Sequence, residues 1–475
     1  MGRKVFFACS KNVRRTDGME SGLKKKYGLF TAISMVVGIV IGSGVFFKAE
    51  AVLKATGGNM PLGIAAWGIV GLIMIICSYA FATMATRHEK VNGVVDYAEV
   101  SVGKQYGYYV GWFMATIYQP TLTSVLAWVS ARYTCVLLNW DITGGSCMII
   151  AGFYLIAIYA VNALSPIIAG KLQVTATVIK LIPLTLMAVA GTVIGLTNGM
   201  TVQNFASVAD TAVSTGNGLL KSVVAVAFAY EGWIIATSIN SEIKDSKRNL
   251  PKALIIGSLI VVTVYILYYI GLAGAVPTAE LMKSGQAGAK LAFQNIFGQV
   301  AGTLIFVFII ISCLGTLNGL MLGCTRGLYS LAVRGLGPKP GIFKQVDAST
   351  NMPSNSAIVG LLLSAFWLLY FYGAIVLQVA GSSPWFGPFS FDTSELPIIT
   401  LYAGYIPILL MMMKKERELG TFKRLVMPGL AVLSCVFMVV AACVAHQMAV
   451  VYYLAIFVLF MAAGVKYAPK RNSLK

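Results

Sequence analysis

Two ionisable residues stand inside stretches that otherwise read as apolar, Lys180 in the run 166–195 and Glu231 in the run 217–241. A third unusual feature is Ile41-Gly42-Ser43-Gly44-Val45-Phe46, a Gly-Ser-Gly set into apolar sequence. These residue types suit ligand binding and charge handling more than bond-making. No nucleophile–base pair, phosphate-cradling loop or metal-ligand cluster accompanies them. The two histidines, His88 and His446, are far apart, and the eight cysteines include no CxxC pair. The expectation is a binding site without a cofactor, in a chain that is not an enzyme.

The elements that carry these residues follow from composition. The 475 residues are 58% hydrophobic and 11% charged, against roughly 25% charged in a soluble domain. Such a chain cannot coat a water-facing surface, and its hydrophobicity excludes disorder. A bilayer is the solvent that fits. A helix needs about 20 apolar residues to cross one. Twelve segments qualify: 28–56, 61–86, 105–138, 145–164, 166–195, 217–241, 251–276, 299–333, 354–379, 391–413, 425–445 and 448–466. None shows the sustained alternation of a barrel strand. The fold class is therefore an all-α integral membrane protein with twelve transmembrane helices.

The charge balance is +19. With the N-terminus inside, 29 of the 36 Lys and Arg residues fall in inside segments and 6 outside. That asymmetry predicts a multi-pass protein of the cell membrane with both termini cytoplasmic. The basic excess is topological, and no soluble stretch is long enough to bind nucleic acid. Residues 1–27 form a basic cytoplasmic segment, not a signal peptide, because the first apolar run is of full span length. There is no Asn-x-Ser/Thr sequon, which fits a prokaryotic source.

Glycines flanking Ser43 are poor helix formers, at about 1 kcal/mol each against Ala. Inside a membrane an opened helix is tolerated where it lines a cavity or is buried in protein. Its freed N–H groups suit an anion, and its freed carbonyls suit an ammonium. Tight packing through small residues is the alternative. The sixth span carries a second break candidate, Phe228-Ala229-Tyr230-Glu231-Gly232-Trp233. Interrupted spans at the first and sixth positions predict a five-plus-five inverted repeat. The layout is then 28–201 for helices 1–5, 217–415 for helices 6–10, 420–466 for helices 11–12 and 467–475 for a cytoplasmic tail. The paired breaks predict a site for a small zwitterion, carboxylate on first-span N–H groups and ammonium on carbonyls of both breaks.

Lys180 lies nine residues beyond Lys171, about 14 Å into the span at helical rise. A lysine near the midplane costs at least about 2.5–3.5 kcal/mol. It reads as a buried ion pair or carbonyl-bonded ammonium, and also as a fixed cation replacing a coupling ion or a protonatable switch. Glu231 reads as a vestibule or ion-paired side chain, or as a group for substrate recognition or proton coupling. Ser312, Cys313, Thr316 and Asn318 put polar atoms in the eighth span, where interhelical hydrogen bonding is the competing role. Tyr118-Gln119-Pro120 predicts a kink in the third span. Cys135 and Cys147 flank one short loop and can either pair or pack as thiols.

Together these residues carry a resemblance. Ile41-Gly42-Ser43-Gly44-Val45-Phe46 resembles the first-helix signature of the amino acid–polyamine–organocation superfamily. Phe228-Ala229-Tyr230-Glu231-Gly232-Trp233, then Glu242 and Lys247-Arg248-Asn249-Leu250-Pro251, is similar to the sixth helix of its L-type amino acid transporter branch. Gln173 with Lys180, and Ser312-Cys313 with Asn318, are similar to that branch in helices 5 and 8. Among its members the bacterial serine/threonine exchangers look most alike. The resemblance implies substrate-binding residues Val40, Ile41, Gly42, Ser43, Gly44, Val45, Phe228, Ala229, Tyr230 and Glu231. The substrate carboxylate would meet the N–H groups of Ser43 and Gly44, and its ammonium the carbonyls near Val40, Phe228 and Glu231. Phe228 would be the gate. Lys180, with Ser312 and Cys313, would stand where sodium-coupled relatives bind sodium. Many L-type members carry Gly or Asp where this chain has Glu231. Animal members join a glycoprotein through a cysteine in the loop that here holds Cys147, and no obligatory protein partner is inferred from it.

The expected function is sodium-independent exchange of small neutral L-amino acids (Ser/Thr/Ala-like) by alternating access. Its partners would be the amino acid and the lipid bilayer. A proton-coupled or cationic amino acid or polyamine permease is the alternative suggested by Glu231. A non-transporting membrane sensor is a third reading, and no output domain supports it.

Overall fold

In the computed structural model, residues 27–88, 93–206, 215–237, 243–285, 287–350 and 352–469 are described. Residues 1–26, Glu242 and the tail from 470 onward, all used above, lie outside them. Among the described residues the only β pairing is an isolated parallel bridge between Tyr27 and Ile243.

Among the described residues, ten helices are long and apolar enough to cross a membrane. They are Met60–Arg87, Lys104–Leu138, Gly145–Leu164, Ile167–Thr197, Ser246–Ala275, Gln299–Ala332, Ser354–Val379, Leu396–Lys415, Phe422–His446 and Met448–Val465. The first span is two helices, Leu29–Val40 and Gly44–Ala55, bent by 53°, which makes eleven spans in the described residues. The remaining expected span, 217–241, is interrupted at its expected break, and 238–241 lie outside the described residues. Its helix Thr215–Tyr230 stops, the chain turns at Glu231-Gly232, and a short helix Trp233–Ala236 follows. Gly232 has φ +108°, a conformation closed to most side-chain-bearing residues, so the turn falls at this glycine. The tenth span starts at Leu396, later than the expected 391, because Phe391–Glu395 belongs to the preceding loop. Two short helices not foreseen, Thr278–Ser284 and Ala287–Phe297, fill the link before the eighth span.

Packing through small residues brings the spans close. A Cβ on Gly191 of the fifth span would lie 2.7 Å from the Gly271 carbonyl oxygen of the seventh. Gly195 abuts Gly274 on the same interface. The sixth span is pinned by aromatic rings. Tyr230 stands 5.8 Å from Trp67 and 5.1 Å from Tyr265, centroid to centroid, and its hydroxyl donates to the Trp67 carbonyl at 3.1 Å. In the third span the expected distortion appears as a π-helical turn, Met114–Tyr118, directly before Gln119-Pro120, consistent with π-bulges and Pro as causes of bends. Large apolar side chains remain uncovered on the fourth and eighth spans, such as Ile149, Phe153 and Val300, as expected of faces solvated by lipid.

Candidate functional site

The first break is built from helix ends. The leading half-helix closes with Ile41 N–H donating to Val37 O at 2.9 Å. Gly44 and Val45 open the next half-helix, so their N–H groups have no intrahelical acceptor. A positive half-helix end and a negative one therefore face the same gap. Ser43 N–H donates to Thr316 Oγ1 at 3.3 Å, and that hydroxyl donates to Ser312 O at 3.0 Å. The eighth span is thus hydrogen-bonded to the break. Cys313 is fully buried beside Ser43. The Ser43 and Ser312 hydroxyl oxygens are buried and have no hydrogen-bond partner among the described residues.

The second break meets the first backbone to backbone. A Cβ on Gly44 would lie 2.5 Å from Ala229 Cα, and one on Gly232 would lie 3.2 Å from Ile39 O. Tyr265 of the seventh span joins both breaks. Its hydroxyl lies 3.3 Å from Val40 O and 3.1 Å from Ala229 O. With one hydrogen to give, it is shared between two carbonyls at the ends of two half-helices. Tyr230 has its ring committed to packing against Trp67 and Tyr265.

Lys180 is 5% exposed, and its Nζ donates to Gly38 O at 2.7 Å. It follows the helix Pro166–Ile179, and Pro183 downstream offers no N–H to continue the ladder. Gly38 is in the last turn of the first half-helix, where carbonyls lack intrahelical partners and a cation is favoured. Of the readings of Lys180, the carbonyl-bonded ammonium is the one the geometry shows. No carboxylate pairs with it among the described residues.

Glu231 faces Tyr118 and the Gly232 N–H through its carboxyl group. Its Oε1 is buried without a hydrogen-bond partner among the described residues. The buried hydroxyls of Tyr402 and Tyr405 are close by. No Lys or Arg neutralises it in the described residues, so the ion-paired reading does not hold there.

Phe228 packs on Phe47 with centroids 5.8 Å apart and on the Lys48 ammonium at 5.5 Å. Phe47 in turn meets Trp128, which meets Phe371. These rings form a chain of contacts from the sixth span through the first and third to the ninth. Lys48 is one of the six basic residues that the sequence assigns to the outside. It is in fact buried at 2% exposure within the helix Gly44–Ala55.

Beside the site, Asn318 Nδ2 donates to Gln173 Oε1 at 3.0 Å and to Ala169 O at 3.1 Å. Asn162 Nδ2 donates to Asn318 Oδ1 at 2.8 Å. This network ties the fourth, fifth and eighth spans, so Gln173 and Asn318 have a packing role here. Cys135 and Cys147 are buried free thiols that lie next to each other. No group of three or more His, Cys, Asp or Glu that could hold a metal occurs among the described residues. Sequence reasoning missed Tyr265 and Lys48, since a tyrosine in an apolar run and a lysine near a span end carry no signature of their own.

Comparison with known proteins adds four findings. The family described as "Amino acid permease" matches residues 27–465. The serine/threonine exchanger SteT of Bacillus subtilis (strain 168) is 31% identical over 315 residues, covering 66% of this chain and 70% of that one. The human b(0,+)-type amino acid transporter 1 is 26% identical over 385 residues, 77% of this chain and 78% of its own. The aspartate-proton symporter of the same Bacillus strain is 26% identical over 371 residues, covering 74% and 68%.

Proposed function

The chain belongs to the amino acid permease family, and from that premise we propose that it exchanges small neutral L-amino acids without sodium, by alternating access. It is a membrane transporter and not an enzyme. The observation that carries the mechanism is the meeting of the two breaks, Gly44 against Ala229, with Lys180 on the Gly38 carbonyl behind them. In this reading the substrate carboxylate binds the N–H groups of Ser43 and Gly44, displacing Thr316 Oγ1 from the Ser43 N–H, and the ammonium binds carbonyls near Val40, Phe228 and Glu231. Phe228 covers the bound molecule. The Lys180 ammonium supplies permanently the positive charge that a coupling ion would supply transiently at the end of the first half-helix. The segments 28–201 and 217–415 act as two repeats that rock about this site. The face that carries Arg87, Arg334 and Lys415 is cytoplasmic in the cell membrane.

The exchange of serine and threonine by the Bacillus relative supports the small neutral choice. A second reading rests on one observation, the Glu231 carboxyl with an unpartnered oxygen among tyrosines. There it would take a proton or a cationic side chain, as a permease of cationic substrates requires.

A substrate-competition panel in proteoliposomes tests the choice. Unlabelled alanine and threonine should compete with labelled serine, and arginine, lysine and putrescine should not. Strong competition by the cationic compounds would favour the second reading.

A further inference from the structure

Lys48 sits one turn into the second half of the first span and is 2% exposed. Its Nζ donates to Glu395 Oε1 at 2.7 Å and to Ser394 Oγ at 2.9 Å. Both residues immediately precede the tenth span. The other oxygen of Glu395 accepts from His446 Nε2 at 3.0 Å, at the end of the eleventh span. The same ammonium lies 5.0 Å from the Phe47 ring centroid and 5.5 Å from that of Phe228, within the range of a cation–π attraction. One buried cation therefore touches the half-helix that opens the first break, the ring that covers the site, and a carboxylate on a distant span.

A surface ion pair would hold nothing in place, because water and salt screen it. This pair is out of water, and breaking it leaves a buried charge without a partner. If the second half of the first span tilted away from the sixth and tenth spans, Lys48 would lose Phe228 and Glu395 together. The pairing therefore favours the arrangement in which Phe228 lies closed. The geometry points to Lys48, held by Glu395 and His446, as the positioning residue that latches the Phe228 gate on the face away from the basic end of the bundle. This inference rests on the transport reading above.

The test is Lys48→Met in proteoliposomes of one orientation, with half-saturation by serine measured from each face. Lys48→Met keeps the chain length and leaves Glu395 bonded to His446. Releasing the latch raises the share of molecules open on the Lys48 face. Half-saturation should fall about fivefold or more from that face and rise by a similar factor from the basic face. Lys48→Arg should retain the wild-type values. Lys48→Met/Glu395→Gln removes both charges, should show the same opposite shifts, and serves if the single variant does not fold. A general loss of stability would lower the rate without moving the two faces in opposite directions. Unchanged values, or a rise on both faces, overturn the latch.

A second readout needs no transport. With the seven other cysteines replaced, labelling of the buried Cys313 beside Ser43 by an impermeant maleimide from the Lys48 face should quicken at least about fivefold in Lys48→Met. Equal labelling rates overturn the latch even if wild-type protein exchanges nothing, an outcome that would refute the transport reading separately.

Discussion

Lys180 Nζ donates to the carbonyl oxygen of Gly38 at 2.7 Å, so a lysine from the fifth span caps the half-helix that ends at the first break. The carbonyl needs a donor because the helix stops at Val40. The ammonium needs an acceptor because it is out of water. Replacing Lys180 by methionine leaves Gly38 O unpaired, which costs about 1–3 kcal/mol. Exchange should fall at least about fivefold by the same conversion, while the variant still elutes as a folded protein. Arginine at this position should restore only part of the activity, because its fork does not match one carbonyl in a lysine-sized space. Wild-type rates in Lys180→Met would remove the lysine from the mechanism.

Gly44 has no room for a side chain. With Ala229 Cα 2.5 Å from where its Cβ would be, Gly44→Ala must separate the two breaks. Overpacking of this kind costs about 1–3 kcal/mol, here spent at the substrate site. Serine binding, followed by thermal-shift stabilisation, should weaken at least about fivefold. Gly216→Ala, where nothing lies within 4 Å, is the control and should bind serine as the wild type does.

Tyr265→Phe removes the one hydroxyl shared by Val40 O and Ala229 O. The ring remains, so packing against Trp67 is kept. The freed carbonyls are those expected near the substrate ammonium, and their positions loosen. Half-saturation for serine should rise by roughly 5–100-fold, the equivalent of about 1–3 kcal/mol, with a smaller change in maximal rate. A variant with unchanged half-saturation would show that the hydroxyl only supports the helix ends.

Glu231→Gln separates the two readings of the carboxyl. If small neutral amino acids are the substrates, the amide still accepts from Tyr118 and the Gly232 N–H, and serine exchange should stay within about threefold of wild type, under 1 kcal/mol. If the carboxylate neutralises a cationic side chain or carries a proton, uptake of arginine or its dependence on a pH gradient should disappear in the variant.

Much of this arrangement is readable from the chain alone, for a physical reason. In lipid, a glycine pair, a lysine or a glutamate inside an apolar run is costly, so Gly42-Ser43-Gly44, Lys180 and Glu231 stand out against their neighbours. Span ends are legible because hydropathy changes sharply there. Partners are not legible. Glu395 lies 347 residues from Lys48, and Tyr265 is one of several tyrosines in the seventh span. Helix rotation and tilt decide which of them face the breaks, and those follow from packing at glycines such as Gly191 and Gly271. The break in the sixth span is legible too, because a glutamate beside a glycine interrupts apolar sequence at Glu231-Gly232.

Counterflow in proteoliposomes tests the central claim, sodium-independent exchange, most directly. Vesicles loaded with unlabelled serine should take up labelled serine rapidly, and equally well when sodium is replaced by potassium or choline. Vesicles loaded with buffer alone should take up little. Uptake that is indifferent to internal serine, or that vanishes without sodium, would contradict the account.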